Sequence, residues 1–257
     1  MIEILYALII SLAIQIIMFI PAFIFKTDKL TDISYGLTFI ILTVAMFFFR
    51  KNSIYNAHKN ILLLMVVFWG LRLAVYLFLR IRKIKKDKRF DGIRESFSKF
   101  LFFWLIQGAS VWIILLPVQF FILSDSNIAV STIAGFILWL AGFVVEAVSD
   151  MQKYRFIKKP ENKDKWIATG LWKYSRHPNY FGEILCWIGV YLYCFSSLTP
   201  DLRIISLISP VYIAFLIIFV SGLPKLEAGA DRKWGSVGEY KLYKKRTSIL
   251  LPWFVKK

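Results

Sequence analysis

Seven stretches of this chain are apolar for close to twenty residues at a time, and that length is the strongest constraint on its fold. They run over about 2–25, 33–49, 61–79, 100–123, 128–149, 179–199 and 203–221. An α-helix needs about 20 such residues to cross the hydrocarbon core of a bilayer. The runs are continuous and lack period-two alternation, so helices are favoured over barrel strands. Composition agrees: 58% of the 257 residues are hydrophobic and 18% aromatic, more than a soluble domain carries. The sequence therefore predicts an all-α, polytopic membrane helical bundle of about seven transmembrane helices with a cytoplasmic C-terminal helical tail. It reads as one integral membrane domain over 1–257.

The formal net charge of +17 would suit a nucleic-acid partner, but the positive residues fall between the apolar blocks, where topology explains them first. No nucleic acid is expected; membrane lipids are. Arg80–Lys99 holds nine basic and three acidic residues, Asp150–Pro178 eight and three, and the tail from Gly222 nine and three. Seven spans with the N-terminus outside put all three segments on the cytoplasmic side. The Arg50–Asn60 connection, with three basic residues, dissents. The first apolar block carries Glu3 and no basic leader or small-residue cleavage site, so it reads as a retained helix and not a signal peptide.

Cys186 and Cys194 fall in one apolar block, too far apart along a helix to bridge, and neither a disulfide nor a metal site is indicated. His58 lies in a polar stretch with no partner nearby and reads as a loop surface residue.

Residues 170–183, GLWKYSRHPNYFGE, crowd polar groups at the mouth of an apolar block. Polar groups at that depth are costly unless they bind something. Pro178 suits the first helical turn, and the helix is expected to run to Leu198. Its N-terminal N–H groups favour an anion such as a phosphate. Asn179 and Glu183 are four apart and share a face, with Arg176 and His177 just outside. Glu146 and Asp150 share a face at the end of the fifth block. The basic run after them reads either as a lipid-facing segment or, for Arg155, as part of a phosphate cradle. In the tail, Tyr240, Tyr243 and Arg246 recur at three-residue spacing, which suits one helical face or a lipid-surface helix. Arg72 sits mid-block, as a ligand contact or as a buried partner of Asp32 or Glu146. Asp32, with Tyr35 nearby, opens the second block; a helix N-cap is its alternative reading.

No Rossmann glycine fingerprint, Walker A loop, zincin motif or nucleophile elbow occurs. Three stretches taken together, GLWKYSRHPNYFGE, FVVEAVSDMQKYRF before it and SGLPKLE with RKWGSVGEYKLYKKRTS after it, resemble the steroid 5-alpha-reductase family. The nearest branch is its bacterial members, often described only as a domain of unknown function. The wider superfamily includes sterol reductases and isoprenylcysteine carboxyl methyltransferases. The resemblance is weak before Trp69 and strong from Glu146 onward. It implies a helical membrane fold, placed in the bacterial cytoplasmic membrane, with NADPH as cofactor. It divides the chain into lipid- and substrate-side helices over 1–145 and a cofactor-binding half over 146–257.

Carried over by position, Asn179 and Glu183 match the pair that holds the nicotinamide amide, and Asp150 an acid on the adenosine side, with Glu146 beside it. Tyr174, Arg176, His177 and Tyr180 would line the pyrophosphate and ribose. Tyr240, Tyr243 and Arg246 would close over the cofactor, and Arg155 and Lys158 would meet the 2′-phosphate. Trp69 and Arg72 would face a lipid or steroid-like substrate. The chain departs from the steroid enzymes on that side: no Gln-Glu pair stands in the second block, and Trp69 stands where they place a Tyr.

The function expected is reduction of a C=C bond in an α,β-unsaturated lipid carbonyl compound, with Asp32 and Tyr35 as hydrogen-bond donors to the carbonyl oxygen. An S-adenosylmethionine-dependent methyltransferase shares the Arg-His-Pro turn and the basic aromatic tail, while the Asn179–Glu183 pair favours nicotinamide. A non-catalytic lipid-binding protein is the third reading.

Overall fold

A computed structural model describes residues 2–48, 56–84, 90–125, 127–220 and 222–255, with side chains over 56–77 of the second range. Parts of the basic runs counted above, including residues 50–55, 85–89 and the last two lysines, lie outside the described residues. Ten α-helices are described: α1 Ile2–Ile24, α2 Lys29–Phe48, α3 Ala57–Ile84, α4 Phe97–Ile114, α5 Leu116–Leu123, α6 Val130–Lys158, α7 Pro178–Phe195, α8 Pro200–Phe215, α9 Leu223–Trp234 and α10 Gly238–Arg246. Among the described residues no strand forms, only an isolated bridge between Ser175 and Ser248.

Among the described residues six runs are long and apolar enough to cross a membrane: Ile2–Ile24, Lys29–Phe48, Ala57–Leu77, Phe97–Ile114, Val130–Lys158 and Pro200–Trp234. The protein is thus an integral membrane helical protein. The sixth block, 179–199, forms α7, which ends at Phe195 and not at Leu198. It is not among the six, because Asn179 and Glu183 occupy its opening turns. Large apolar side chains such as Ile17, Phe102, Ile137 and Ile204 stand exposed, as expected where lipid and not protein covers a helix.

Boundaries shift for local reasons. The 100–123 block breaks at Leu115 between α4 and α5, because Pro117 removes a helical N–H and its ring crowds the preceding turn. The fifth block continues as helix to Lys158. His58 lies in the first turn of α3, not in a loop, and its carbonyl accepts the Tyr193 hydroxyl at 3.0 Å. Asp32 is inside the first turn of α2, so it is not the helix cap; Asp28 precedes that helix.

The chain divides into two compact units, Met1–Thr132 with Tyr193–Ser209, and Ile133–Leu192 with Pro210–Lys257. In the first, α2 packs against α1, α3, α4 and α5. Its interior holds a polar network. Gln107 Nε2 donates to Gln15 Oε1 at 2.9 Å and to the Thr31 carbonyl at 3.0 Å, and Gln15 Nε2 donates to Thr38 Oγ1 at 2.7 Å. Each amide lost to water is repaid across helices, which fixes their register. Between the helices, buried Arg94 pairs with buried Asp28 at 2.7 Å and also with Asp91 and Glu95. Buried Lys59 donates to the carbonyls of Ile122 and Ser124 at the end of α5, where a cation meets the negative end of the helix dipole.

Candidate functional site

The second unit is built on an antiparallel seam of glycines between α6 and α7. A Cβ placed on Gly142 would lie 2.6 Å from the Cys186 nitrogen and 2.7 Å from the Gly182 carbonyl oxygen. One placed on Gly182 would lie 2.6 Å from the Glu146 nitrogen and 2.8 Å from the Glu146 Cβ. Gly189 approaches the Trp139 backbone and the Gly135 carbonyl in the same way. Gly135 and Gly142 on α6, and Gly182 and Gly189 on α7, are two helical turns apart, so each pair forms a stripe on one face. Contacts that advance along α6 retreat along α7. Glu146 is therefore level with Gly182, and Asp150, one turn on, reaches the level of the α7 start. Glu146 and Asp150 are buried, while Asn179, Tyr180 and Glu183 are half-buried.

The connection from α6 to α7 folds back onto α6. Gly170 adopts φ +62, and a Cβ there would lie 2.5 Å from the Gln152 amide oxygen, so backbone conformation and space both favour glycine. The next residue, Leu171, donates its N–H to that oxygen at 3.0 Å. Trp172 donates Nε1–H to the Ser149 carbonyl at 3.1 Å and accepts the Tyr243 hydroxyl on its own carbonyl at 2.8 Å. Lys153 lies 4.8 Å from the Trp172 ring centre.

Just before α7, Arg176 and His177 both turn to Glu227 of α9. Arg176 also donates Nη1–H to the carbonyls of Lys244 and Thr247, each at 2.9 Å, so it serves as a side-chain cap for the end of α10. His177 Nε2 lies 2.8 Å from Glu227 Oε1. An ionised carboxylate only accepts, so Nε2 carries the hydrogen and Nδ1 is left as an acceptor. That Nδ1 is buried and meets no hydrogen-bond partner. Burial lowers the His177 pKa from the ordinary 6.5, against the opposing pull of Glu227. Tyr180 stacks on the imidazole at 5.8 Å and 11°. The His177 carbonyl in turn accepts the Phe181 N–H at 3.2 Å, which starts α7.

The expected tail face divides. Tyr240 is buried among Trp166, Trp234 and Tyr243, and burial raises the pKa of both tyrosine hydroxyls. Lys244 grips Asp231 at 2.7 Å, and that bond raises its pKa. Arg246, Arg155, Lys158 and Tyr174 are exposed. In the first unit, Tyr35 packs on Phe39 at 5.1 Å, and Phe39 on the buried Trp69 at 5.0 Å. Asp32 and Arg72 are half-buried there.

Glu227 is the residue that reading the sequence passed over. It stands inside SGLPKLE, the first acid of a mostly basic tail, and that placement was its only signal. Gln152 gave none. Among the described residues no cluster of His, Cys, Asp and Glu suited to a metal occurs.

A membrane helical fold and a buried polar cluster at the junction of α6, α7 and the tail define the class. The chain belongs to the family described as "Protein of unknown function (DUF1295)", whose model matches residues 18–247. No curated protein and no solved structure matches it.

Proposed function

We propose that this protein is a membrane-embedded, NADPH-dependent reductase of a C=C bond in an α,β-unsaturated lipid or steroid-like carbonyl compound. The observation that carries the reading is the glycine seam, which draws the acids Glu146 and Asp150 of α6 to the α7 turns bearing Asn179 and Glu183. An Asn amide and a carboxylate on one face complement the carbonyl and NH₂ of a carboxamide. The resemblance to steroid 5-alpha-reductases makes that carboxamide a nicotinamide. When bound, NADPH supplies a hydride, and the protein supplies orientation and a dry setting. His177 Nδ1, a buried acceptor, suits a hydroxyl such as that of a ribose. Arg155 and Lys158 remain for phosphate, while Arg176 holds the tail in place. The roles of Asp32, Tyr35, Trp69 and Arg72 rest on the resemblance alone. The membrane proposed is the bacterial cytoplasmic one, with the N-terminus outside.

One observation favours a second reading. With Arg176 committed to Glu227, the buried cluster is rich in acids, which suits the cationic sulfonium of S-adenosylmethionine and hence a methyltransferase. Titration of purified full-length protein in mild detergent separates the two. The reductase reading expects tighter binding of NADPH than of NADH, weakened by salt as exposed cations are screened. Tight binding of S-adenosylmethionine with none of NADPH would sink it.

A further inference from the structure

The last described residues follow a bent path held against residues 174–176 by hydrogen bonds. The Arg176 N–H donates to the Ser248 carbonyl at 2.8 Å, the Ser175 hydroxyl to the Leu250 carbonyl at 2.7 Å, and the Trp253 N–H to the Tyr174 carbonyl at 3.1 Å. Along it Ile249, Leu251 and Trp253 are 42%, 62% and 66% exposed. Phe254 follows at 80%. Leu250 and Pro252, between them, are half-buried. Tyr174, to which the path is bonded, is also exposed. Large apolar side chains gathered in this way mark a surface that meets something.

We propose that Ile249, Leu251, Trp253 and Phe254, with Tyr174, form an anchor seated among the headgroups of an anionic bilayer leaflet, on the side where α6 ends and α7 begins. This goes beyond the reductase reading and does not depend on it. Position is the first argument. Residues 174–176, which hold the path, directly precede α7. On α6 the exposed apolar side chains Val144, Val148, Met151 and Ile157 carry the lipid-facing surface to the same end of the unit. Residue type is the second, since Trp and Tyr concentrate at membrane interfaces, where an apolar ring body and a polar edge are both accommodated. Charge is the third. From Lys241 to Phe254 the chain carries Lys241, Lys244, Lys245 and Arg246 and no acid. Lys241, Lys245, Arg246 and the nearby Lys173 are exposed, and basic residues beside an apolar strip draw it to anionic lipid. The path is already fixed by its hydrogen bonds to residues 174–176, so docking orders little additional chain. Because Arg176 also grips the carbonyls of Lys244 and Thr247, the anchor holds α10 at the membrane surface.

The test uses the full chain in lipid nanodiscs with a nitroxide at Leu251→Cys or Phe254→Cys. Cys186 and Cys194 are buried and are replaced by Ala so that one label is present. Collision with oxygen reports lipid, and collision with a water-soluble nickel chelate reports water. Labels at 251 and 254 should read lipid at headgroup depth in discs containing phosphatidylglycerol, shallower than a label at Ile137→Cys on the exposed face of α6. A label at Ser236→Cys, in the exposed turn before α10, should read water. In pure phosphatidylcholine the 251 and 254 labels should move toward water; equal depth in both lipids overturns the anionic preference. Water-type readings at 251 and 254 while Ile137 reads lipid overturn the anchor. Shielding from both reagents also overturns it, in favour of a second copy or another protein.

Discussion

Arg176 meets Glu227 with two parallel hydrogen bonds, Nε–H to Oε1 at 3.2 Å and Nη2–H to Oε2 at 2.9 Å. Both side chains are mostly buried. The pair joins the turn before α7 to α9, and the remaining guanidinium N–H reaches the end of α10. Fork-on-fork geometry of this kind is not reproduced by lysine. Arg176→Lys should therefore loosen α10 by about 2–3 kcal/mol, the scale of lost charge-assisted bonds and stranded carbonyls. Amide hydrogen exchange of Tyr240–Arg246 should accelerate by a comparable factor, with the first-unit helices unchanged. Unaltered protection of α10 would remove Arg176 from this role.

His177 sets a pH dependence. Its folded pKa lies below the ordinary 6.5 because burial disfavours the charged ring. The unfolded chain therefore takes up a proton that the folded chain resists. The sign follows: this contribution is fully present above about pH 6.5 and is lost as pH falls toward the folded value. Melting temperature should drop on acidification through that window, and His177→Gln should flatten the drop. A stability rise below pH 6.5, traced to His177 by that variant, would contradict the assignment.

The glycine seam predicts a steep cost for any side chain added to it. Gly182→Leu would drive atoms into the Glu146 backbone, and Gly142→Leu into that of Cys186. Overpacking against backbone costs roughly 3 kcal/mol or more, since no rotamer change relieves it. Gly229→Ala, where only the Arg232 guanidinium approaches at 3.9 Å, should be neutral or stabilising by up to about 1 kcal/mol. Thermal unfolding in detergent compares the three; equal melting of all of them would show that the seam does not hold α6 to α7.

Asn179 and Glu183 should act on cofactor as a unit. Asn179→Ala and Glu183→Gln should each weaken NADPH binding by roughly 1–3 kcal/mol, the cost of an unmet buried polar group. Their double variant should lose less than the sum, as neighbours sharing one partner do. Calorimetric titration reads this directly, and strictly additive losses would place the two residues in separate sites.

Orientation can be tested with C-terminal fusions. Lys59, one of the three basic residues that oppose an outside N-terminus, spends its ammonium on the carbonyls of Ile122 and Ser124. With that charge engaged, the weight of basic residues in the connections after α3 and α6 and in the tail favours a cytoplasmic C-terminus. A cytoplasm-active reporter fused after Lys257 should give signal. A reporter active only outside should stay silent, and the reverse pattern would require a different number of spans.

Apolar length alone fixed the class of this protein and the approximate places of its helices, because hydrophobic run length answers directly to bilayer thickness. Pro178 and the pair Asn179–Glu183 were equally legible, since cap chemistry and helical spacing are local rules. The break at Leu115 was readable in principle from Pro117, but an unbroken apolar run hid it. What the sequence could not express is pairing at a distance. Glu227 draws Arg176 and His177 to itself from about fifty residues away, and Lys59 caps a helix end still further along the chain. The same holds for Gly182, whose meaning depends on Glu146 lying against it. The tertiary structure alone decided which charges face lipid or water and which are consumed inside. A charge in the sequence carries no mark of its partner, and its chemistry is set by the group that burial brings beside it.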